Sequence, residues 1–379
     1  MDASIRWEPL GDNRAPILSY TIQYNTSFTP DIWEVAYDNV PSIDQTYSVA
    51  MSPWVNYTFR VLARNKIGIS LPSGHSEVCQ TQPDVPYKNP DNVEGKGTHP
   101  NNLVISWTPM PEIEHNDEGF HYVVYWKKNI PGQNWNSEDV MDWQRSSLVI
   151  SDQPTFQEYK IKVIAINRRG EANVGAKEVI GYSGEDVPLM APQNFTLVQV
   201  TTSTDALLSW LPVPPESVRG HFKGYKIQTW SEAEGEEGMR ETHVKNDATR
   251  TLVTKFIPHS KNYARVLVYN GRYNGPPSDT LSFDTPEGVP GTVSAFEAFP
   301  MGSSALFLVW KKPEQPNGII TGYKVQYQTV KGTKVGPLVE REPFITDPSQ
   351  TRAKLAGLEP NTKYRIHIRG LTRAGEGEE

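Results

Sequence analysis

The sequence is poor in cysteine: Cys79 is the single thiol in 379 residues. That excludes an internal disulfide framework and any zinc site built from several cysteines. Taken alone it points to a reducing compartment, although some extracellular sandwich proteins do without disulfides. Long apolar runs are also missing. The longest, Ala305 to Trp310, is six residues, against about 20 needed to cross a bilayer. The opening Met1-Asp2-Ala3-Ser4-Ile5-Arg6-Trp7 has no apolar core of the kind a signal peptide carries. Positive charge is not in excess, since 37 Lys and Arg against 44 Asp and Glu leave −7, and this argues against nucleic acid as the main partner. Helical periodicity of useful length is absent. Proline, by contrast, is plentiful at 31 residues, well above its usual share of about 5%. With 10 Trp and 17 Tyr, it favours short strands separated by turns over long helices. A hydrophobic share of 37% supports packed cores rather than a disordered tail. The length exceeds that of one domain, which runs to about 100–200 residues.

Self-similarity sets the architecture. Trp7, Trp107, Trp210 and Trp310 recur at intervals of 100, 103 and 100 residues, each closing a stretch with apolar residues at every second position. These stretches are Ala3, Ile5, Trp7; Leu103, Ile105, Trp107; Ala206, Leu208, Trp210; and Leu306, Leu308, Trp310. A period of two means a strand with one buried face. Thirteen to fifteen residues later comes a tyrosine-bearing strand, at Tyr20, Tyr122, Tyr225 and Tyr323. A third alternating run starts at Tyr57, Tyr159 and Tyr364. In the third repeat, counting back from Asn270 puts Asn262 at the tyrosine position and Tyr263 one residue out of place, so its anchor there must differ.

Val-Pro pairs at Pro86, Pro188 and Pro290 stand 102 residues apart and mark junctions, where proline stiffens the chain at a strand start or linker. The reading is all-β, four sandwiches in tandem over residues 1–84, 85–186, 187–287 and 288–379. By the same ruler, Trp7 has too few residues before it and Gly375 too few after it. The first strand of the first repeat and the last strand of the fourth are therefore expected to lie outside this sequence.

These features resemble the fibronectin type III family of immunoglobulin-like sandwiches, which carries a tryptophan on strand B and a tyrosine corner on strand F. The corner pattern Leu-x-Pro-x-Thr-x-Tyr is complete at Leu358, Pro360, Thr362 and Tyr364. It is partial at Met51, Pro53, Tyr57 and at Phe256, Pro258, Ser260 with Asn262. The second repeat keeps Tyr159 but has Gln153 and Thr155 where leucine and proline are expected. Finer stretches, among them Gly11-Asp12-Asn13-Arg14-Ala15-Pro16, Trp107-Thr108-Pro109-Met110-Pro111 and Gly220-His221-Phe222-Lys223-Gly224-Tyr225, look like the L1 family of neural cell-adhesion molecules. That resemblance implies a receptor ectodomain of immunoglobulin domains followed by fibronectin type III domains. A membrane span outside this fragment would follow, with homophilic adhesion assigned mainly to the immunoglobulin head.

Candidate sites are sparse. Cys79 falls on the expected last strand of repeat one, as a buried, inert thiol or, as the resemblance suggests, in a disulfide to a cysteine on the missing first strand. Asn25, Asn56 and Asn194 head Asn-x-Ser/Thr sequons, no more than chance supplies, with Asn56 facing outward beside inward Tyr57. Arg169-Gly170-Glu171 occupies the loop where related modules present an integrin motif, but glutamate is a methylene too long, and a plain glycine turn is favoured. Lys66, Arg168, Arg272 and Arg373 put a cation on that loop in every repeat, read as solvated charge. Glu232, Glu234, Glu236 and Glu237 form an acidic tip without calcium-loop spacing. Glu112, Glu114 and His115 mimic an acid–base cluster without any nucleophile motif. No catalytic residue, cofactor or metal ligand is therefore expected. The function expected is a non-catalytic, semi-rigid adhesion-receptor rod of roughly 130 Å, from strands of about 10 residues at about 3.3 Å rise. It would lie outside the cell and bind proteins, whether homophilically or through other adhesion molecules. The alternatives are an intracellular muscle-type array of sandwiches, or the spacer modules of a receptor phosphatase.

Overall fold

The alternating runs form strands with one inward face, and the computed structural model, which describes residues 1–379, joins them into eight antiparallel sheets. The chain divides into two compact units, Met1–Asp186 and Val187–Glu379.

In the first unit, Asp2–Arg6 pairs with Thr46–Ala50. The opposing sheet runs Thr29–Pro41, Ser19–Thr26, Asn56–Arg64, Cys79–Gln80. The second sandwich sets Ser147–Ile150, Leu103–Ser106 and Glu94–Gly95 against a sheet centred on His121–Lys128 and Glu158–Asn167. In the second unit, Thr196–Val200, Ala206–Ser209 and Arg250–Val253 face Arg240–Lys245, Gly224–Ser231, Lys261–Tyr269 and Leu281–Asp284. The last sandwich sets Ser294–Pro300, Leu306–Lys311 and Arg352–Leu355 against a sheet centred on Gly322–Lys331 and Lys363–Thr372.

Each sandwich closes on its own core. Trp107, Trp210 and Trp310 are buried, whereas Trp7 is half-buried because its sheet has only two strands to cover it. In every core the tryptophan of one sheet meets the tyrosine of the other edge-on. The ring centroids lie 5.2 Å apart for Trp7–Tyr20, 5.5 Å for Trp107–Tyr122, 5.3 Å for Trp210–Tyr225 and 5.3 Å for Trp310–Tyr323. Such contacts contribute about 0.5–1.5 kcal/mol beyond the area they bury.

The corner before the long central strand is held by one recurring bond in three of the four sandwiches. Ser52 N–H donates to the Tyr57 hydroxyl at 2.9 Å and Glu359 N–H to the Tyr364 hydroxyl at 2.8 Å. Tyr57 is buried; Tyr364 is half-buried against its core. In the third sandwich Asn262, fully buried, takes the tyrosine's place. Its Oδ1 accepts from Ile257 N–H at 3.1 Å, five residues back as in the tyrosine corners, while Nδ2 donates to Ile257 O, Ser260 O and Thr285 Oγ1. In the second, where the proline is lacking, the Tyr159 hydroxyl instead donates to Gln153 Oε1 at 2.6 Å, and burial pushes its pKa up to about 12.

In the extended segment that leads into the last strand of the first sandwich, Ser70, Ser73 and Ser76 recur every third residue. Each serine takes both backbone groups of Ala63, Val61 and Phe59 in turn, its hydroxyl accepting the N–H and its own N–H meeting the carbonyl.

Asn262→Ala leaves the Ile257 N–H without its acceptor, while Ile257 O and Ser260 O keep Thr285 as donor. Because the lost amide is fully buried, the change is expected to destabilise the third sandwich by about 2–3 kcal/mol, more than the roughly 1 kcal/mol expected for Tyr364→Phe in the fourth. Urea unfolding followed by hydrogen exchange compares the two; equal losses would refute the assignment of the amide as an anchor.

Candidate functional site: the module junctions and outer faces

Between each core tryptophan and its partner tyrosine runs a loop, and the tyrosine hydroxyl pins its start in two of them. Met110 N–H donates to the Tyr122 hydroxyl at 2.8 Å, and Val213 N–H to that of Tyr225 at 3.2 Å. Six residues before the tyrosine the backbone turns left-handed, at Arg14, Asn116, Arg219 and Asn317, with φ of 67°, 63°, 52° and 56°. At three of these positions the side chain reaches the junction valine. Asn116 Nδ2 donates to Val85 O at 2.9 Å, Arg219 Nε to Val187 O at 2.8 Å, and Asn317 Nδ2 to Val289 O at 2.9 Å.

The residue before the valine is held as well. Asp84 N–H donates to Asn116 O at 2.9 Å, and Asp84 O accepts from Asn167 Nδ2 at 2.8 Å. Gly288 N–H donates to Asn317 O at 2.7 Å, and Gly288 O accepts from Thr372 Oγ1 at 2.7 Å. The Asp84 carboxylate accepts from the Tyr87 hydroxyl and from Val85 N–H, and these bonds hold its pKa below the usual carboxylate range. Ile113, from the loop of the second sandwich, packs against the core of the first. The junction at 84–86 is thus fastened by backbone, amide and apolar contacts together.

The candidates read from the amino-acid pattern are dispersed over these elements. Glu112–Glu114 is a single 3₁₀ turn. His115 is buried, stacked on Phe120 at 3.8 Å and edge-on to Trp143 at 4.9 Å, with Nε2 hydrogen-bonded to Met110 O at 2.9 Å. It is a core histidine, and burial lowers its pKa below the ordinary value against the smaller raising effects of Met110 O and Glu112. Gly170 has φ of 136° and begins a short hairpin return, while Arg169 Nε lies 3.1 Å from the buried Asp117 carboxylate. Arg168 also meets Asp117 and Glu118, so this cation of the recurring loop is paired. At the acidic tip Glu234 pairs with Arg240 at 3.2 Å. Cys79 is half-buried opposite Tyr57, its Sγ 3.8 Å from Met51 Sδ.

The three sequons differ. Asn56 and Asn194 are exposed. Asn25 is half-buried, with Nδ2 donating to Pro30 O at 2.9 Å and Oδ1 accepting from Thr58 Oγ1 directly across the sheet.

Sequence reasoning missed the junction donors, whose signal is their place six residues before the tyrosine rather than any one residue type. It also missed a basic side chain at one outward position of each long central strand: Arg60, Lys162, Arg265 and His367. Arg60 lies over Trp33 at 4.4 Å, and its Nε donates to Gln23 Oε1 at 2.7 Å. Arg265 repeats this with Trp230 at 5.2 Å and Gln228 at 2.7 Å.

The fibronectin type III domain model matches residues 2–78, 190–284 and 291–379. The second sandwich lies outside those matches, and its corner is the one that departs most from the pattern. Over the whole chain, the sequence is 63% identical to neuroglian of Drosophila melanogaster across 377 residues, covering 100% of this chain and 29% of neuroglian. It is 37% identical across 389 residues to neuronal cell adhesion molecule of Mus musculus, covering 100% of this chain and 30% of that protein. Neural cell adhesion molecule L1 of Homo sapiens is 33% identical across 381 residues, covering 99% and 30%. The chain thus spans less than a third of the length of each of these relatives.

Asn167→Ala removes the donor to Asp84 O and to His115 O, and is expected to cost about 2–3 kcal/mol. Protease cleavage at 84–86 should rise with it; unchanged cleavage would show that the amide does not fasten the junction. His115 supplies a pH dependence of definite sign. Unfolded, it takes up a proton near pH 6.5; folded, it resists. The second sandwich therefore loses stability as pH falls below about 6.5. His115→Phe should flatten that component, read from hydrogen exchange in Leu103–Ser106 between neutral and mildly acidic buffer.

Proposed function

The chain belongs to the fibronectin type III family, and on that premise we propose that it is a non-catalytic stretch of a cell-surface adhesion receptor of the L1 type. The observation that carries this reading is the 63% identity to neuroglian sustained over the full chain. Within it, the sandwiches serve as spacers whose junctions at 84–86 and 288–290 are fastened by the donors Asn116, Asn167, Asn317 and Thr372. Fastened junctions keep distance and direction between an adhesive head and the membrane, which a flexible linker of the same length does not. Partners are other proteins, met on the extracellular side, and the membrane is reached through a span outside these residues.

An extracellular chain passes the glycosylation machinery, so the sequons supply the test. Asn56 and Asn194 are open to a glycan. Asn25 already uses both ends of its amide and is expected to be the least occupied. Secreted from insect cells, the chain should shift in mass on enzymatic deglycosylation, and Asn56→Gln with Asn194→Gln should remove most of the shift. A secreted chain without glycan at any of the three positions would count against the extracellular reading and in favour of an intracellular array.

A further inference from the structure

The outer face of the central sheet in the second sandwich gathers three lysines and two aromatic rings. Lys127, Lys160 and Lys162 lie on the face opposite to the inward Tyr122, Val124, Tyr159, Ile161 and Val163. Lys160 stands directly across from Lys127, and Lys162 across from Tyr125. Trp135 enters from the neighbouring strand, next to Asn136, which pairs with Trp126. Lys127 Nζ is 4.5 Å and Lys162 Nζ 4.6 Å from the centre of the Trp135 ring, and Lys162 is also 5.1 Å from that of Tyr125. Two ammonium groups are thus drawn to one indole, with a third on the adjoining position.

Like charges directly opposite across a sheet are destabilising. The fourth sandwich has the same problem where Lys324 faces Arg369, and there carboxylates answer it: Glu376 lies 2.6 Å from Lys324 and Glu379 2.6 Å from Arg369. The first and third sandwiches avoid it, placing Asn25 opposite Thr58 and Trp230 opposite Tyr263 at the positions of Lys127 and Lys160. In the second sandwich no carboxylate is within ion-pair distance of any of the three lysines; Glu158, two residues before Lys160 on the same face, is taken by Asn129 Nδ2 at 2.8 Å and the Tyr182 hydroxyl at 2.9 Å, and Asp139 stands opposite Val123 at the far end of the patch. The indole holds the ammonium groups of Lys127 and Lys162 in place, and no side chain of the sandwich forms an ion pair with them or with Lys160.

We infer that this face, built from Lys127, Lys160, Lys162, Tyr125 and Trp135, is a binding site for a sulfated linear polysaccharide. The sheet face is open, without a groove for a folded partner and without a free edge on these central strands for an added peptide strand. It suits an extended polymer whose sulfates recur along its length and stay ionised at every physiological pH, meeting Lys127 and Lys162 where the rings already hold them and Lys160 beside them. The site adds a ligand to the adhesive reading above and does not depend on it, since binding is measured on the purified chain.

The test uses the full chain and a short heparin oligosaccharide, with affinity measured across a range of salt concentrations. The chain should bind despite its overall charge of −7. K127Q/K160Q/K162Q should weaken binding by at least about tenfold and lower the slope of log affinity against log salt by about one unit per lysine. Circular dichroism and the melting midpoint should be unchanged or slightly raised, because the like-charge contact is relieved. The charge-matched K331Q/K334Q/K363Q, all on exposed positions of the fourth sandwich, should bind as the unaltered chain does. Unaltered affinity in the first variant, an equal loss in the second, or poly-glutamate bound as tightly as heparin would each overturn the inference, the last by making the partner an acidic peptide.

Discussion

The edge-on contact between tryptophan and tyrosine is the constraint on which each sandwich depends. It joins the two sheets through their largest inward rings and fixes the spacing between them at the same point four times, within a few tenths of an ångström. The partners are close in sequence, so the contact closes a short loop, which costs less chain entropy than most cross-sheet pairings in an all-β fold. Its polar accounting is incomplete. The indole N–H groups of Trp7, Trp107, Trp210 and Trp310 are buried without an acceptor, and an unsatisfied group of that kind costs about 1–3 kcal/mol. The ring is kept at that cost because the area it buries, and the tyrosine it meets, outweigh the loss.

The same contact reaches outward into the junctions. Fixing the tyrosine fixes the loop that precedes it, and that loop carries the left-handed residue whose side chain holds the valine carbonyl of the junction. Tyr122 is tied to Met110 at the start of its loop, and Asn116 lies midway between them. A junction donor on a loop pinned at both ends gives up little freedom when it engages the carbonyl. Core packing and linker stiffness are therefore parts of one arrangement, and a change at Tyr122 would loosen the junction at Val85 as well as the core.

How much of this is legible in the sequence follows from what each feature demands. Burial demands apolar side chains at a fixed period, so the strands around Trp107, Trp210 and Trp310 can be read directly, as can the repeat length. The corner demands an acceptor five residues after a particular N–H. Tyrosine announces itself there, but Asn262 does not, because an amide at that place means nothing until the fold brings Ser260 and Thr285 to it. The junction donors are less legible still. Asn116, Arg219 and Asn317 share a backbone conformation and a direction rather than a residue type, and asparagine in a loop is common. A sequon, conversely, is fully visible as a string while its accessibility is not, which is why Asn25 and Asn56 separate only in three dimensions.

The outer faces obey none of these demands, and there the four sandwiches diverge. One outward position on the long central strand carries Arg60, Lys162, Arg265 or His367, and its cross-strand neighbour is Gln23, Tyr125, Gln228 or Gln326. In the first and third sandwiches the pair is complete in itself, since the glutamine oxygen accepts from the arginine and a tryptophan covers its plane. Tyrosine in place of glutamine leaves Lys162 with a ring but no acceptor, and the neighbouring Lys127 and Lys160 deepen the imbalance. Because the core contact already secures the fold, the outer face of one module can carry an unfavourable charge arrangement without loss of structure. A chain of near-identical cores can in this way be given different surfaces one module at a time, and the module whose surface is least self-sufficient is the one with most to gain from a partner.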